Sequence, residues 1–183
     1  MDIVGKLPVA PSQKVFMLAM ADYFSKWIEA DSFRQVTEKE VISFIRTNFI
    51  CRYGVPSEII CDKGTQFVGK RTKAFCDEWN INLVTSTPGY PKANGQAESN
   101  NKVVINCLKK KLKSKRGRWA EERLLVLWAD RTHPKTSTCQ TPYSLVYSCE
   151  AVIHVEVHVP TSRYSLNKIE ANADLMQDNL VLT

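Results

Sequence analysis

Three acidic residues in this chain have types and spacing that could support metal-dependent chemistry. Asp22 follows the apolar run Val15 to Ala21, Asp62 follows a second short apolar run, and thirty-five residues separate Asp62 from Glu98. Carboxylate oxygens bind hard divalent cations, and a pair of such ions activates the nucleophile and stabilises the leaving oxygen in phosphodiester chemistry. Asp22, Asp62 and Glu98 are therefore the candidate catalytic residues and metal ligands.

The segments around Asp22 read as strands followed by a helix. Val15 to Ala21 has the continuous apolar character of a strand buried on both faces. Alternation over Tyr23 to Ala30 indicates a second strand, joined to the first by a hairpin near residues 24–26. Thr37 to Glu40 fits a capping box and predicts a helix that ends before Pro56.

The middle of the chain continues this alternation of strands and helices. A short buried strand, Glu58 to Cys61, would deliver Asp62, and Glu98 would stand in the first turn of a helix, where the dipole favours a carboxylate. Strands that alternate with helices predict an α/β fold. The other predicted segments are an extended lead-in over 1–13, a helix over about 70–79, a strand from Asn82 to Thr85, a mobile loop over 86–95, and helices from Gln96 to about Lys113 and from Trp119 to about Arg131.

Three motifs in this order resemble the catalytic core of retroelement integrases. They are Ala21 to Trp27, Cys61 to Phe67 and Pro91 to Glu98. The resemblance is strongest to plant-like, gypsy-type long-terminal-repeat retrotransposons. It implies a ribonuclease-H-like α/β fold with a mixed central sheet flanked by helices. It covers a catalytic core over about residues 1–155, and leaves 156–183 as a loosely packed C-terminal extension.

The resemblance also implies a reaction and its partners. A polynucleotidyl transferase of this family hydrolyses DNA near a 3′ end and then joins the new 3′ hydroxyl to target DNA. Asp22 would bridge two Mg²⁺ or Mn²⁺ ions, with Asp62 on one and Glu98 on the other. The expected partners are the element's own DNA ends, target DNA and further copies of the chain, with no membrane, in an intracellular protein that acts in the nucleus after a cytoplasmic phase.

Several polar and basic residues beside Glu98 are candidate DNA contacts. Asn94 and Gln96 can donate to phosphate oxygens, and Gly95 permits close approach of a phosphate. Asn101 either lines the same cleft or forms a surface hydrogen bond. Seven basic residues fall within positions 109–118, which favours a DNA-backbone contact over a merely solvated helix end. The predicted nucleic-acid-binding residues are Asn94, Gly95, Gln96, Asn101, Lys109, Lys110, Lys113, Lys115 and Arg116.

Composition is consistent with one compact domain that binds a polyanion. The 183 residues are 44% hydrophobic and carry a formal net charge of +6. The six cysteines form no CxxC pair and the three histidines have no cysteines at zinc spacing, so a structural zinc site is not expected. The N-terminal apolar run is too short to span a bilayer, and reduced thiols inside the cell are expected.

Two other functions stay open. One is a catalytically lapsed, host-retained remnant that still binds nucleic acid, and the other is a ribonuclease-H-type nuclease that cuts RNA in hybrids. Lys63 stands where the family usually has asparagine. A cation beside Asp62 would help to keep that carboxylate ionised but could compete with a metal ion, so the metal affinity of Asp62 is left open. The family's N-terminal zinc-binding segment is not found in this sequence, which predicts poor concerted integration by this chain alone.

Overall fold

The strands form two hydrogen-bonded sheets in the computed structural model, which describes residues 1–85, 110 and 118–152. An antiparallel sheet has the order β1 (Asp2–Val4), β2 (Phe16–Ala21) and β3 (Ile28–Phe33). β4 (Glu58–Cys61) pairs in parallel with β5 (Asn82–Thr85). Parallel and antiparallel pairing both occur, as predicted for a mixed α/β architecture.

The first long helical stretch begins and ends as the sequence predicts. α1 (Glu38–Ile45) starts at the capping box, where the backbone N–H of Thr37 donates to the Glu40 carboxylate at 3.0 Å. The stretch continues through a π-helical segment, Arg46–Ile50, and α2 (Cys51–Tyr53), and it ends at Gly54 with φ +90°. The remaining helices are α3 (Thr65–Val68), α4 (Lys70–Glu78), α5 (Trp119–Thr132) and α6 (Pro142–Tyr147). None of the helices in the described ranges is long and apolar enough to cross a membrane.

β2 separates two hydrophobic clusters. Met17 and Ala19 face a cluster that includes Trp119 and Leu127 of α5, whereas Leu18 and Met20 face the cluster formed with α1 and α4. Because successive side chains of a strand point to opposite faces, this division shows that β2 is covered on both sides. The predicted strand buried on both faces is confirmed, and helices flank it on each side.

Two strand predictions need correction. The predicted strand Tyr23 to Ala30 starts too early, because residues 22–27 form a turn and β3 begins at Ile28. The Asp22 carboxylate holds Ser25 in this turn, and Lys26 has φ +60°, which is incompatible with an extended strand. The lead-in over 1–13 also contains β1, which the sequence reading missed.

The Glu38 carboxylate joins α1 to α4. It accepts hydrogen bonds from the backbone N–H groups of Arg71 at 2.8 Å and Thr72 at 3.0 Å, and so caps the start of α4. A Cβ added at Gly69 would overlap this carboxylate. Gly69 therefore allows the close approach that makes the cap.

Gly69→Ala should lower the free energy of unfolding by about 1–2 kcal/mol, because the displaced carboxylate no longer caps α4. Urea denaturation measures the change. In a Glu38→Ala background the obstructing side chain is gone, so the same substitution should have little further effect. Equal destabilisation in both backgrounds would rule out the proposed contact.

Candidate active site

Two residues of the predicted triad lie in the described part of the chain, and each follows a strand directly. Asp22 follows β2, and Asp62 follows β4 with its side chain exposed. Glu98 lies outside the described residues, as do Asn94, Gly95, Gln96, Asn101, Lys109, Lys113, Lys115 and Arg116. Lys110 is described, and it is helical and exposed. The described members of the predicted site are therefore Asp22, Asp62 and Lys110.

The start of β1 brings a second carboxylate to Asp62. The Met1 nitrogen donates to the carbonyl of Ile60 at 2.6 Å, which places the start of β1 against the end of β4. Burial lowers the pKa of the Met1 amino group, while the charges of Cys61, Asp2 and Asp62 oppose that shift. Asp2 follows Met1 and Asp62 lies two residues after Ile60, so this contact brings both acidic residues to the same edge of the fold.

Asp22 occupies a different position, in the β2–β3 turn formed by residues 22–27. Its Oδ2 accepts hydrogen bonds from the backbone N–H of Ser25 at 2.7 Å and from the Ser25 hydroxyl at 2.6 Å. These contacts close the turn, a common role for aspartate. Asp2 pairs with Ala19, so Asp22 lies three residues further along β2, about 10 Å away along the strand.

The order of the strands also bears on the distance between Asp22 and β4. β1 pairs with β2, and Met1 at the start of β1 donates to Ile60 of β4. This contact places Asp2 nearer than Asp22 to the end of β4. The sequence analysis did not single out Asp2, whose only local signal is an acidic residue opening the short apolar sequence Ile3 and Val4.

A broad groove lies beside Asp62. It has a volume of about 1390 Å³ and runs over β5 and α4, with Lys63, Lys73, Trp79 and Asn82 among its lining residues. Lys63 and Lys73 provide positive charge in this groove next to the acidic edge. Among the described residues, no three His, Cys, Asp or Glu side chains come together as a metal-binding group.

Comparison with solved structures defines the class of fold. The catalytic core domain of BIV integrase superposes with a TM-score of 0.59 at 17% identity, and the match covers 80% of this chain and 92% of that one. A chain from the structure of the simian T-cell lymphotropic virus intasome in complex with PP2A regulatory subunit B56 gamma gives a TM-score of 0.59 at 21% identity, over 81% of this chain and 58% of that one. The predicted ribonuclease-H-like α/β fold of integrase catalytic cores is confirmed.

Sequence comparison finds similarity to one domain family. Residues 1–91 match the integrase core domain. The Gag-Pol polyprotein of avian reticuloendotheliosis virus is 27% identical over 132 residues, 72% of this chain and 11% of the polyprotein. The transposon Tf2-3 polyprotein of Schizosaccharomyces pombe is 25% identical over 148 residues, 80% of this chain and 11% of that protein. Residues 1–91 are thus similar to an integrase core domain, and the chain is similar to retroviral and retrotransposon polyproteins, of whose length it spans about a tenth.

Proposed function

We propose that this chain is the catalytic core of a retroelement integrase, a polynucleotidyl transferase that processes DNA 3′ ends and joins them to target DNA. One observation carries the proposal, namely the hydrogen bond from Met1 to Ile60 that brings Asp2 and Asp62 to one edge of a fold shared with integrase catalytic cores. A plant-like, gypsy-type element as the source is part of the proposal, supported by the three sequence motifs. Action on DNA in the nucleus, after a cytoplasmic phase, follows from the proposed substrate.

The carboxylates at this edge fit Mg²⁺ or Mn²⁺, which prefer hard oxygen ligands. We assign Asp2 in place of Asp22 as the first ligand, because the Asp22 carboxylate is held by Ser25 in the β2–β3 turn. Asp62 is the second ligand, and Glu98 completes the set by its motif. Two bound ions would supply activation of the nucleophile and stabilisation of the anionic transition state.

The side chains around the carboxylates suit a phosphodiester substrate. Asp62 is exposed, which leaves a DNA strand access to this edge. Lys63 and Lys73 in the adjoining groove can neutralise phosphate oxygens. In hydrolysis, water oxygen would bond to phosphorus as the 3′ oxygen leaves. In joining, that 3′ hydroxyl would bond to a target phosphorus as another 3′ oxygen leaves, so neither step requires a covalent protein intermediate.

Assembly of several copies is also part of the proposal. α5 exposes three large apolar side chains, with exposed fractions of 63% for Leu124, 65% for Leu125 and 44% for Trp128. A solvent-facing apolar group on a helix that also packs against the sheet is typical of a contact surface. A second copy of the chain is the partner we assign to it.

A strand-transfer and disintegration assay on short labelled DNA, with Mg²⁺ or Mn²⁺, tests the proposed reaction. The native chain should join DNA in a metal-dependent way and Glu98→Gln should not, because the amide carries no negative charge for the ions. Absence of joining by a folded native chain that still binds DNA would instead support the lapsed remnant. Cutting of the RNA strand in a hybrid would support the nuclease.

A further inference from the structure

The β2–β3 turn is built as a rigid support. Besides the two bonds from Ser25 to Asp22, the Asp22 backbone N–H donates to the Trp27 carbonyl at 2.8 Å, and the Lys26 N–H donates to the Asp22 carbonyl at 3.1 Å. The Lys26 ammonium donates to the Tyr23 carbonyl at 2.5 Å and lies 4.2 Å from the centroid of the Tyr23 ring. Six residues are thus locked by both backbone and side-chain contacts.

This support holds two aromatic side chains in solvent. Ser25, Lys26 and Trp27 are 4%, 7% and 5% exposed, whereas Tyr23 and Phe24, here called the aromatic tip, are 56% and 75% exposed. Leaving large apolar groups in water is unfavourable, and the turn orders them there. A binding role explains this arrangement better than folding does, because neither ring is buried by the fold.

The aromatic tip lies at the same end of the sheet as the candidate active site. Asp2 pairs with Ala19 on β2, and β2 leads from there into the turn. The tip lies at least three residues beyond Ala19 along the chain, and β2 is one strand away from Asp2. The aromatic tip is therefore roughly 10–15 Å from Asp2. DNA advances about 3.4 Å per base-pair step, so this separation corresponds to about three or four steps.

The size of the tip favours a nucleic-acid base over a protein surface as its occupant. Two partly exposed aromatic rings offer roughly 250 Å², whereas a stable protein interface takes about 800 Å² from each partner. One ring is enough to stack on one base. The buried Lys26 ammonium lies against the Tyr23 ring and so helps to fix the position of the tip.

We propose that Phe24 stacks on an unpaired base of bound DNA, three or four steps from the phosphodiester held at Asp2 and Asp62. Tyr23 packs beside it and is held in place by the Lys26 ammonium. This inference rests on the proposed function, since it takes DNA as the substrate of the adjoining site. The contact would make this chain prefer DNA in which a base pair is disrupted three or four steps from the reacting end.

Photocrosslinking tests the contact. Short duplexes carry 5-iododeoxyuridine opposite a mismatch at each of steps one to six from the end, and they are irradiated with the full chain carrying Asp62→Asn to prevent turnover. Crosslinks to Phe24, identified by peptide mass spectrometry, are expected at steps three and four. In the same background, Phe24→Leu should bind the mismatched duplex about tenfold more weakly, and Phe24→Tyr should bind as the parent does.

The controls separate this inference from the proposed function. Val9→Ala removes another apolar group that is 68% exposed and should leave affinity unchanged. Equal binding by Phe24→Leu and its parent, with crosslinks elsewhere, overturns the stacking contact even if the native chain joins DNA. Crosslinks at Phe24 in a chain that never joins DNA support the contact and count against the proposed chemistry instead.

Discussion

Asp2→Asn should abolish strand transfer by this chain, with a fall in the single-turnover joining rate of about a thousandfold or more. Asparagine keeps the shape of the side chain but removes the negative charge that a divalent ion requires, and loss of ion binding removes several kcal/mol of transition-state stabilisation. Asp62→Asn should have the same effect. Asp2 and Asp62 flank the hydrogen bond between the Met1 nitrogen and the Ile60 carbonyl.

Asp22→Asn is the matched control, because it makes the same chemical change at the acidic residue that the sequence alone favours. The amide oxygen can still accept the two hydrogen bonds from Ser25, so the turn should persist and the joining rate should stay within about threefold of native. Circular dichroism confirms that each variant is folded. An inactive Asp22→Asn beside an active Asp2→Asn would return the assignment to Asp22.

Local patterns were enough to predict the parts of the fold that depend on local chemistry. The capping box at Thr37 to Glu40 starts α1, and the apolar run ending at Ala21 forms the doubly covered β2. Asp62 was found at the end of a short strand because apolar residues immediately precede it. Each of these signals lies within a few residues of the feature it predicts.

The remaining features depend on contacts between distant parts of the chain. β1 has three residues, too few for an alternating pattern, and its role appears only through the contact of Met1 with Ile60, fifty-nine positions away. The sequence analysis therefore selected Asp22, the acidic residue after a long apolar run, and did not single out Asp2. The alternation over Tyr23 to Ala30 predicts a strand, but side-chain hydrogen bonds fold the first part of this segment into the β2–β3 turn. A periodic pattern carries no information about such bonds.

Glu29 is a stabilising residue that the sequence pattern alone does not reveal. In sequence it is an ordinary polar residue in a strand, yet it is 5% exposed and accepts three hydrogen bonds on Oε1. The donors are the Trp27 indole at 3.0 Å, Arg52 at 2.8 Å and the Tyr53 hydroxyl at 2.8 Å. Oε2 pairs with Arg131 at 2.9 Å, so one carboxylate ties β3 to α2 and to α5.

The partners of Glu29 are themselves held in place. The Arg131 guanidinium lies 4.2 Å from the centroid of the Trp27 ring and donates to the Ile28 carbonyl at 2.6 Å. Burial and the bond to Glu29 raise the pKa of Tyr53, which keeps its hydroxyl protonated as a donor. Arg52 is half exposed and its pairing is weakened by solvent. Arg131 is therefore the charge that depends most on Glu29.

Glu29→Ala should lower the free energy of unfolding by about 3–5 kcal/mol, because it leaves the largely buried Arg131 guanidinium without its counter-charge and the buried Trp27 indole without an acceptor. Urea denaturation gives the magnitude, and hydrogen exchange should show the largest loss of protection in α5. Glu58→Ala is the control on another strand, where the carboxylate is exposed and bonds Asn82 at 3.0 Å. Its expected effect is below about 1 kcal/mol.

A double-mutant cycle decides whether the Glu29 to Arg131 pair is the cause. With Arg131→Met already present, no guanidinium is left unpaired, so Glu29→Ala should cost about 1–3 kcal/mol less than it does in the native chain. Additive effects would assign the loss to the Trp27 and Tyr53 donors instead. A small effect of Glu29→Ala in the native chain would show that Glu29 does not hold α5 against the sheet.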